Sequence, residues 1–427
     1  MIVVIVLTFF FTLLIGIPIS FVLGITSLGA LLVWGKIPFD LISQRMFTGV
    51  DSFPLMAIPF FMLAGLLMNE AGITKPLIDF SDSLVGKIKG GLAHVNIVAS
   101  MFFAGITGSA VADASALGSI LIPTMLEQGY DRDYSAAVCA SASVIGPIIP
   151  PSIVMVVYAM TASISIGGLF IAGIVPGILL GLSLMIVAYI YAIKRNYQSR
   201  KEAISFFKFI VICKRAILPL LMPIIILGGI LFGIFTPTEA AAVAVAYAFF
   251  IGVFVTKKLK IVNIPKIFIE AGVSSAIVLF IISTANIFSW ILATQQVPQK
   301  MSNLILSLSN DTWVILLLLN ILLLIVGCFL ETSAAILIFV PILIPIINVL
   351  GIHPLHFGMI VVLNLCIGII TPPLGVCLFV VSRVANIEFE SIVKAILPFL
   401  LAEIVVLIII TYLPIVSMFL PKLLGYY

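Results

Sequence analysis

Charge is what this chain has least of. Only 9% of its 427 residues are Asp, Glu, Lys or Arg, against 63% hydrophobic. That excludes a soluble protein of this length, because too few polar side chains are present to cover a surface. Histidine is confined to His94, His353 and His356, which do not cluster as metal ligands would. The five cysteines (Cys139, Cys213, Cys328, Cys366 and Cys377) show no Cys-x-x-Cys spacing, so they read as small buried hydrophobes rather than disulfides or ligands. No Walker A pattern offers an ATP site. The Gly-x-Ser-Gly and His-Glu-x-x-His patterns and the paired aspartates of intramembrane proteases are also missing, so an enzyme is not expected. The net charge of +4 is no nucleic-acid signal, because the basic residues stand at the ends of apolar runs. The first apolar stretch, from Ile2, lacks a basic leader and a small-residue cleavage site and is read as mature membrane sequence. What is present is a succession of apolar runs long enough to cross a bilayer. The expected class is an all-α polytopic membrane protein.

Two pairs of polar, Gly/Pro-rich patches interrupt those runs. The first pair is Gly105-Ile-Thr-Gly-Ser109, followed by Pro123, and Gly146-Pro-Ile-Ile-Pro-Pro-Ser152. The second is Gly327-Cys-Phe-Leu-Glu-Thr-Ser333, followed by Pro345, and Gly368-Ile-Ile-Thr-Pro-Pro-Leu374. Each landmark recurs 222 positions on: 105 and 327, 123 and 345, 146 and 368, 150 and 372. Duplicated, interrupted membrane segments mark the binding site of a secondary transporter.

Basic residues set the expected topology. The stretch Lys194, Arg195, Arg200, Lys201, Lys208, Lys214 and Arg215, against Glu202 alone, and the group Lys257, Lys258, Lys260 and Lys266 are placed in the cytoplasm. Residues 53–71 then cross inward, 96–126 form a hairpin entering from inside, 135–161 cross outward and 168–193 return. Residues 259–270 form an amphipathic connector and 272–293 cross outward. Residues 313–347, broken at Gly327 and Pro341/Pro345, enter as a hairpin from outside. Residues 357–382 return and 396–420 cross outward. Two inverted repeats result, 1–215 and 216–427. A transport core is drawn from 53–160 and 272–382, and residues 2–33 match 216–256 as two short spans. Lys36, Arg45, Asp51, Lys300 and Asp311 fall on the outer side.

Irregular backbone at membrane depth persists only where it lines a protein-enclosed or aqueous site. Small-residue packing accounts for Ala110, Ala112, Ala114 and Ala116, but not for Asp113 and Glu331, because intramembrane acids are costly. Each Pro-Pro step lacks two backbone donors and splits its span into half-helices, freeing carbonyls toward the centre. Oxygen-only coordination suits Na⁺. One Na⁺ set is Ser109 with Gly146, Ile149 and Pro150; the other is Thr332 and Ser333 with Gly368, Thr371 and Pro372. Substrate is expected beside Gly108, Ser109, Asp113, Ser152, Glu331 and Thr332, within reach of Asn286 and Asn364. Asn69, Glu70, Asn320 and Glu403 read as interhelical hydrogen-bonding groups. Thr236-Pro-Thr-Glu239 reads as a capped helix start. The alternatives are a passive channel or an intramembrane protease; the missing protease motifs weigh against the second.

Along nearly its whole length the chain resembles the large membrane subunit (DctM or SiaM type) of the TRAP, tripartite ATP-independent periplasmic, transporters. The segments that carry the resemblance are Gly16-Ile-Pro-Ile, Ile58-Pro-Phe-Phe-Met-Leu-Ala-Gly65, Gly105–Pro123, Gly146–Ser152, Thr236–Ala242, Gly327–Pro345 and Gly368–Gly375. The fold is also similar to that of sodium-coupled dicarboxylate symporters. The resemblance implies a Na⁺-driven, elevator-type importer of the bacterial inner membrane, with no cofactor beyond the coupling ion. It implies a separate small four-helix membrane subunit and a periplasmic substrate-binding protein as partners. The implied substrate is an organic acid, with sialic acid the first expectation and a C4-dicarboxylate the second.

Overall fold

A computed structural model describes residues 2–35, 37–199, 205–309 and 311–426. Lys36, Arg200, Lys201 and Glu202, placed above by sequence, lie outside the described residues. Among the described residues every regular element is helical. The first half comprises α1 (Ile2–Leu14), α2 (Ile19–Trp34), α3 (Asp40–Val50), α4 (Ala57–Glu70), α5 (Thr74–Val85), α6 (Gly91–Thr107), α7 (Ala110–Glu127), α8 (Arg132–Ser143), α9 (Ile153–Thr161) and α10 (Ile166–Lys194). The second comprises α11 (Phe206–Leu231), α12 (Pro237–Phe250), α13 (Ile264–Thr294), α14 (Val297–Leu308), α15 (Thr312–Phe329), α16 (Thr332–Val349), α17 (Pro354–Gly368), α18 (Val376–Ala385), α19 (Phe389–Tyr412) and α20 (Ile415–Leu423). Nine helical segments among the described residues are long and apolar enough to cross a membrane, which makes this a multi-pass membrane protein.

Helix α10, roughly 43 Å long at 1.5 Å per residue, serves as a ruler. At its C-terminal end Arg195 binds Asp131, the residue that leads into α8. At its N-terminal end Gly168 lies against Leu355 at the start of α17 and Tyr426 beyond α20. The hairpin α6–α7 therefore has its base at one end of α10 and the hairpin α15–α16 has its base at the other. Helices α4 and α13 pack on each other; α4 also packs on α12 and α6, and α13 on α2, α3 and α16.

Both expected breaks are present. α8 and α9 are separated at 144–152, and α17 and α18 at 369–375; both Pro-Pro peptide bonds are cis. The helix start at Thr236 is a full capping box. Thr236 N–H donates to Glu239 Oε2 at 2.7 Å and Glu239 N–H to Thr236 Oγ1 at 3.3 Å.

Three expected boundaries differ. The connector 259–270 is not separate from the span after it, because α13 runs unbroken for 31 residues. In the first half Pro54 forces the corresponding interruption; its counterpart 222 positions on is Ala276. Pro341 and Pro345 do not break α16. The carbonyl that Pro341 leaves unpaired, that of Leu337, accepts from Ser289 Oγ at 3.3 Å, the kind of replacement that lets membrane helices keep prolines. The span 396–420 is two elements: α19 stops at Tyr412 and Leu413-Pro414 turns the chain into α20, which packs back on α10.

Candidate functional site

The two hairpin tips meet at one cavity of about 190 Å³. The first tip contributes Gly108 and Ser109, the second Glu331, Thr332 and Ser333, and Gly368 comes from the second break. Met62 of α4 and Val278 of α13 close the other side.

The first tip is built by its turn chemistry. Gly108 ends α6 in the left-handed region at φ +60° and donates to Ala104 O, a conformation that favours glycine. A side chain there would also strike Pro151 O, at 2.7 Å from the Cβ position. Ser109, half-buried, caps α7 by accepting from Ala112 N–H at 3.5 Å. One turn further, Asp113 accepts a short hydrogen bond from Thr107 Oγ1 and lies with Oδ2 against Gly146. Asp113 is 1% exposed, and Oδ2 has no hydrogen-bond partner. This acid stands behind the tip, between it and the first break, and not in the cavity.

The second tip is made differently. Leu330 is extended, and Glu331 caps α16 through Oε2, which accepts from Ala334 N–H at 3.0 Å; Oε1 accepts from Ser333 Oγ at 3.0 Å. Glu331 is exposed in the cavity, whereas Thr332 is buried with an unpartnered hydroxyl. Behind it α15 crosses α17 glycine on glycine: a Cβ on Gly368 would lie 2.6 Å from Gly327 Cα.

The remaining candidates are distributed around this centre. Gly146 and Pro150 are buried in the first break, with Ile149 half-buried, and Thr371 and Pro372 are half-buried in the second. The carbonyls of Ile149, Pro150 and Pro372 accept no backbone hydrogen bond among the described residues. Thr371 Oγ1 donates to Ile367 O at 2.7 Å. Ser152 is fully buried; its hydroxyl donates to Pro147 O at 2.6 Å and accepts from Met155 N–H at 3.2 Å, which makes it the cap of α9. Asn286 lines a separate cavity of about 340 Å³ with Gly49, Ser52 and Ser289. Asn364 is bound to Asn320 Oδ1 at 2.9 Å, and Asn320 to Thr411 at 3.0 Å, an interhelical chain away from the tips. Asn69 accepts from nearby Thr74, while Glu70 accepts from Asn263 at the start of α13, a bond between distant segments. Glu403 is fully buried with neither carboxylate oxygen bonded.

Sequence reasoning did not assign Thr107 its role as the partner of Asp113. It also missed the apolar wall of Met62, Val278, Phe329, Leu330, Leu374 and Val376, which no motif distinguishes from other lipid-span residues.

Away from the cavity, the first hairpin's base carries a charged clasp. Arg195 Nη1 lies 2.7 Å from Asp131 Oδ2, and Tyr197 donates to the same oxygen at 2.6 Å. The Tyr197 hydroxyl, and then Arg195, hold the Asp131 carboxyl below the usual range. Arg132 reaches the carbonyl of Asn386 at 3.4 Å, tying α8 to the end of α18.

Comparison with known proteins places this geometry. Residues 6–416 match the family described as the tripartite ATP-independent periplasmic transporter, DctM component. The sialic acid TRAP transporter large permease protein SiaM of Vibrio cholerae is 42% identical over 96% of this chain and 96% of its own length. The C4-dicarboxylate TRAP transporter large permease protein DctM of Pseudomonas aeruginosa is 43% identical over 94% of each. The isethionate TRAP transporter permease protein DctMQ of Oleidesulfovibrio alaskensis is 44% identical over 95% of this chain, which spans 64% of that protein's length. Among solved structures, the YdaH transporter of Alcanivorax borkumensis superposes with a TM-score of 0.64 at 15% identity, covering 87% of each chain. That likeness supports the fold alone.

Proposed function

The chain belongs to the DctM component family of tripartite ATP-independent periplasmic transporters, and we propose that it imports an organic acid anion in symport with Na⁺. As a member it is a transporter permease of the bacterial inner membrane and not an enzyme. The observation that carries the proposal is the convergence of both hairpin tips on one cavity, with a helix break behind each. Broken helices and capped tips supply free carbonyls for a cation and N–H groups for a carboxylate at one depth.

In this reading one Na⁺ is held between Ser109 and the carbonyls of Gly146, Ile149 and Pro150. The other is held between Thr332, Ser333 and the segment Gly368, Thr371 and Pro372. Substrate sits between them at Gly108, Ser109, Glu331 and Thr332. Asp113 and Ser152 support the tip and the break from behind. The repeats 1–215 and 216–427 are inverted copies, and the transport core, 53–160 and 272–382, moves as an elevator against a scaffold made of the rest of the chain with the connectors 36–51 and 259–270. A small membrane subunit and a periplasmic binding protein complete the system. The names borne by relatives offer sialic acid, a C4-dicarboxylate and isethionate as substrate classes.

The test is uptake of a labelled acid into proteoliposomes, with and without a Na⁺ gradient, the small subunit and the binding protein. Saturable, Na⁺-dependent uptake that needs all components is expected. Non-saturable flux indifferent to Na⁺ would replace this reading with a passive channel.

A further inference from the structure

We propose that the cavity between the tips accepts acids carrying a single negative charge, and that Glu331 is the residue that turns away a second. The inference rests on the transport reading above and concerns the same site.

Three cavities touch the tips or flank them. One lies between the tips, one holds Asn69, Thr107, Ser109 and Ser274, and one holds Asn286. Among all their lining residues Glu331 is the only charged side chain; no Lys, Arg or His lines any of them. The other acid of the hairpins, Asp113, lines none. Glu331 is also fixed. Its two oxygens are held 3.0 Å from Ala334 N and 3.0 Å from Ser333 Oγ, so swinging the carboxylate aside would uncap α16.

One substrate carboxylate or sulfonate is served by tip N–H groups, hydroxyls and bound Na⁺. A second anionic group would have no cationic side chain to meet and one held carboxylate to face. The walls around it, Met62, Ile153, Val278, Phe329 and Leu374, supply no countercharge to offset the repulsion between like charges. Placing them together is how a site rejects the wrong partner. The hydroxyls of Ser109, Thr332 and Ser333 still favour a polar remainder on the substrate, so the class is a hydroxylated or otherwise polar monoanion.

The experiment uses the full chain in lipid nanodiscs and reads dissociation constants in Na⁺ and in choline buffer. The probes pair charge states on one skeleton: monomethyl succinate with succinate and isethionate with sulfoacetate. N-acetylneuraminate is a further monoanion. In Na⁺ the tightest ligand is expected to be a monoanion, with every dianion weaker by about tenfold or more. Glu331→Gln, which keeps a cap acceptor and loses the charge, should shrink that gap to about threefold or less by tightening the dianions. A dianion within threefold of the tightest ligand overturns the proposal. So does a gap unchanged in Glu331→Gln, which would leave Glu331 as a helix cap alone. If no acid binds better in Na⁺ than in choline, the transport reading fails, a separate result from failed charge selection.

Discussion

The two hairpin–break units follow the same path with opposite finish. The first is sealed: Gly108 lies on Pro151, all three prolines of its break are buried, and its acid, Asp113, is inside the wall. The second is open: Pro373 and Leu374 are exposed, and its acid, Glu331, faces the cavity. Matched at the 222-residue offset, Ser109 stands where Glu331 does and Asp113 where Ala335 does. The acid has changed places relative to the tip. Two units with the same order of hairpin and break thus differ in chemistry: a neutral cap with an acid behind it in one, an acidic cap with alanine behind it in the other.

The largest expected effect probes the backs of the two units. Gly368→Ala should destabilise by about 1–3 kcal/mol, because its new methyl meets the Gly327 backbone, which has nowhere to go. Gly146→Ala should cost less, since Asp113, a side chain able to turn, is the foremost obstacle there. Thermal unfolding of both variants decides; the reverse order would break the distinction between a backbone contact and a side-chain one. Next is Asp113→Ala, which leaves the Thr107 hydroxyl without its partner and should cost about 1–2 kcal/mol. Asp113→Asn retains an acceptor and should recover most of that. Equal loss in the two would remove the hydrogen bond from the account.

Smaller effects separate the tips. Ser109→Ala removes a cap and should destabilise by about 1 kcal/mol or less. Thr332→Val removes a buried hydroxyl that has no partner and should change stability by less than about 0.5 kcal/mol in either direction. Both should raise the Na⁺ concentration needed for half-maximal uptake. Normal Na⁺ titrations in both would reduce the tips to packing features.

The smallest effect concerns the hairpin bases. Asp131 precedes α8 with its carboxylate turned to Arg195 and Tyr197, and His353, at the matching position, caps α17 by accepting from Leu355 N–H. Burial, and then Lys422, lower the His353 pKa. A base with a depressed folded value contributes stability that is fully present above its unfolded pKa of about 6.5 and is lost as pH falls from there through the lower folded value. Asp131, also depressed, contributes above the unfolded value of about 3.9 and loses its share below it. Acidification should therefore loosen the second base first and the first base later. Asp131 is half exposed, so its share is small. Melting curves of His353→Asn and Asp131→Asn across pH should flatten in those two separate windows; flattening in the same window would contradict the assignment.

The breaks were legible because Pro-Pro, Gly and polar residues in an apolar run have one physical reading, and the repeated offset doubled it. The same holds for the capping box at Thr236, where residue types and spacing specify the bonds. What escaped was whatever depends on a distant neighbour. Ser152 looks like a ligand in sequence, but its hydroxyl is taken up by Pro147 O and Met155 N–H. Asn364 looks close to the core, but α15 supplies Asn320. Pro341 looks like a break until Ser289, from another helix, takes up the carbonyl it leaves unpaired. Single-residue polarity does not say which way a side chain turns, and in a bundle of long helices that direction decides its role.

The unbroken α13 has a mechanical consequence. In the first half the joint at Asp51–Ser52, ahead of Pro54, divides α3 from α4. In the second half no such joint exists until Gln296, held at φ +55°, starts α14. Ser283 fastens this rod to the Met46 carbonyl of α3, and Trp290 lies beneath Arg45. A bend in this arm of the second half is thus displaced to the far end of a stiff lever, while the matching arm of the first half has its elbow midway. Because α13 packs on both α3 and α16, the arm jointed at Asp51–Ser52 is braced by one that has no joint along its length.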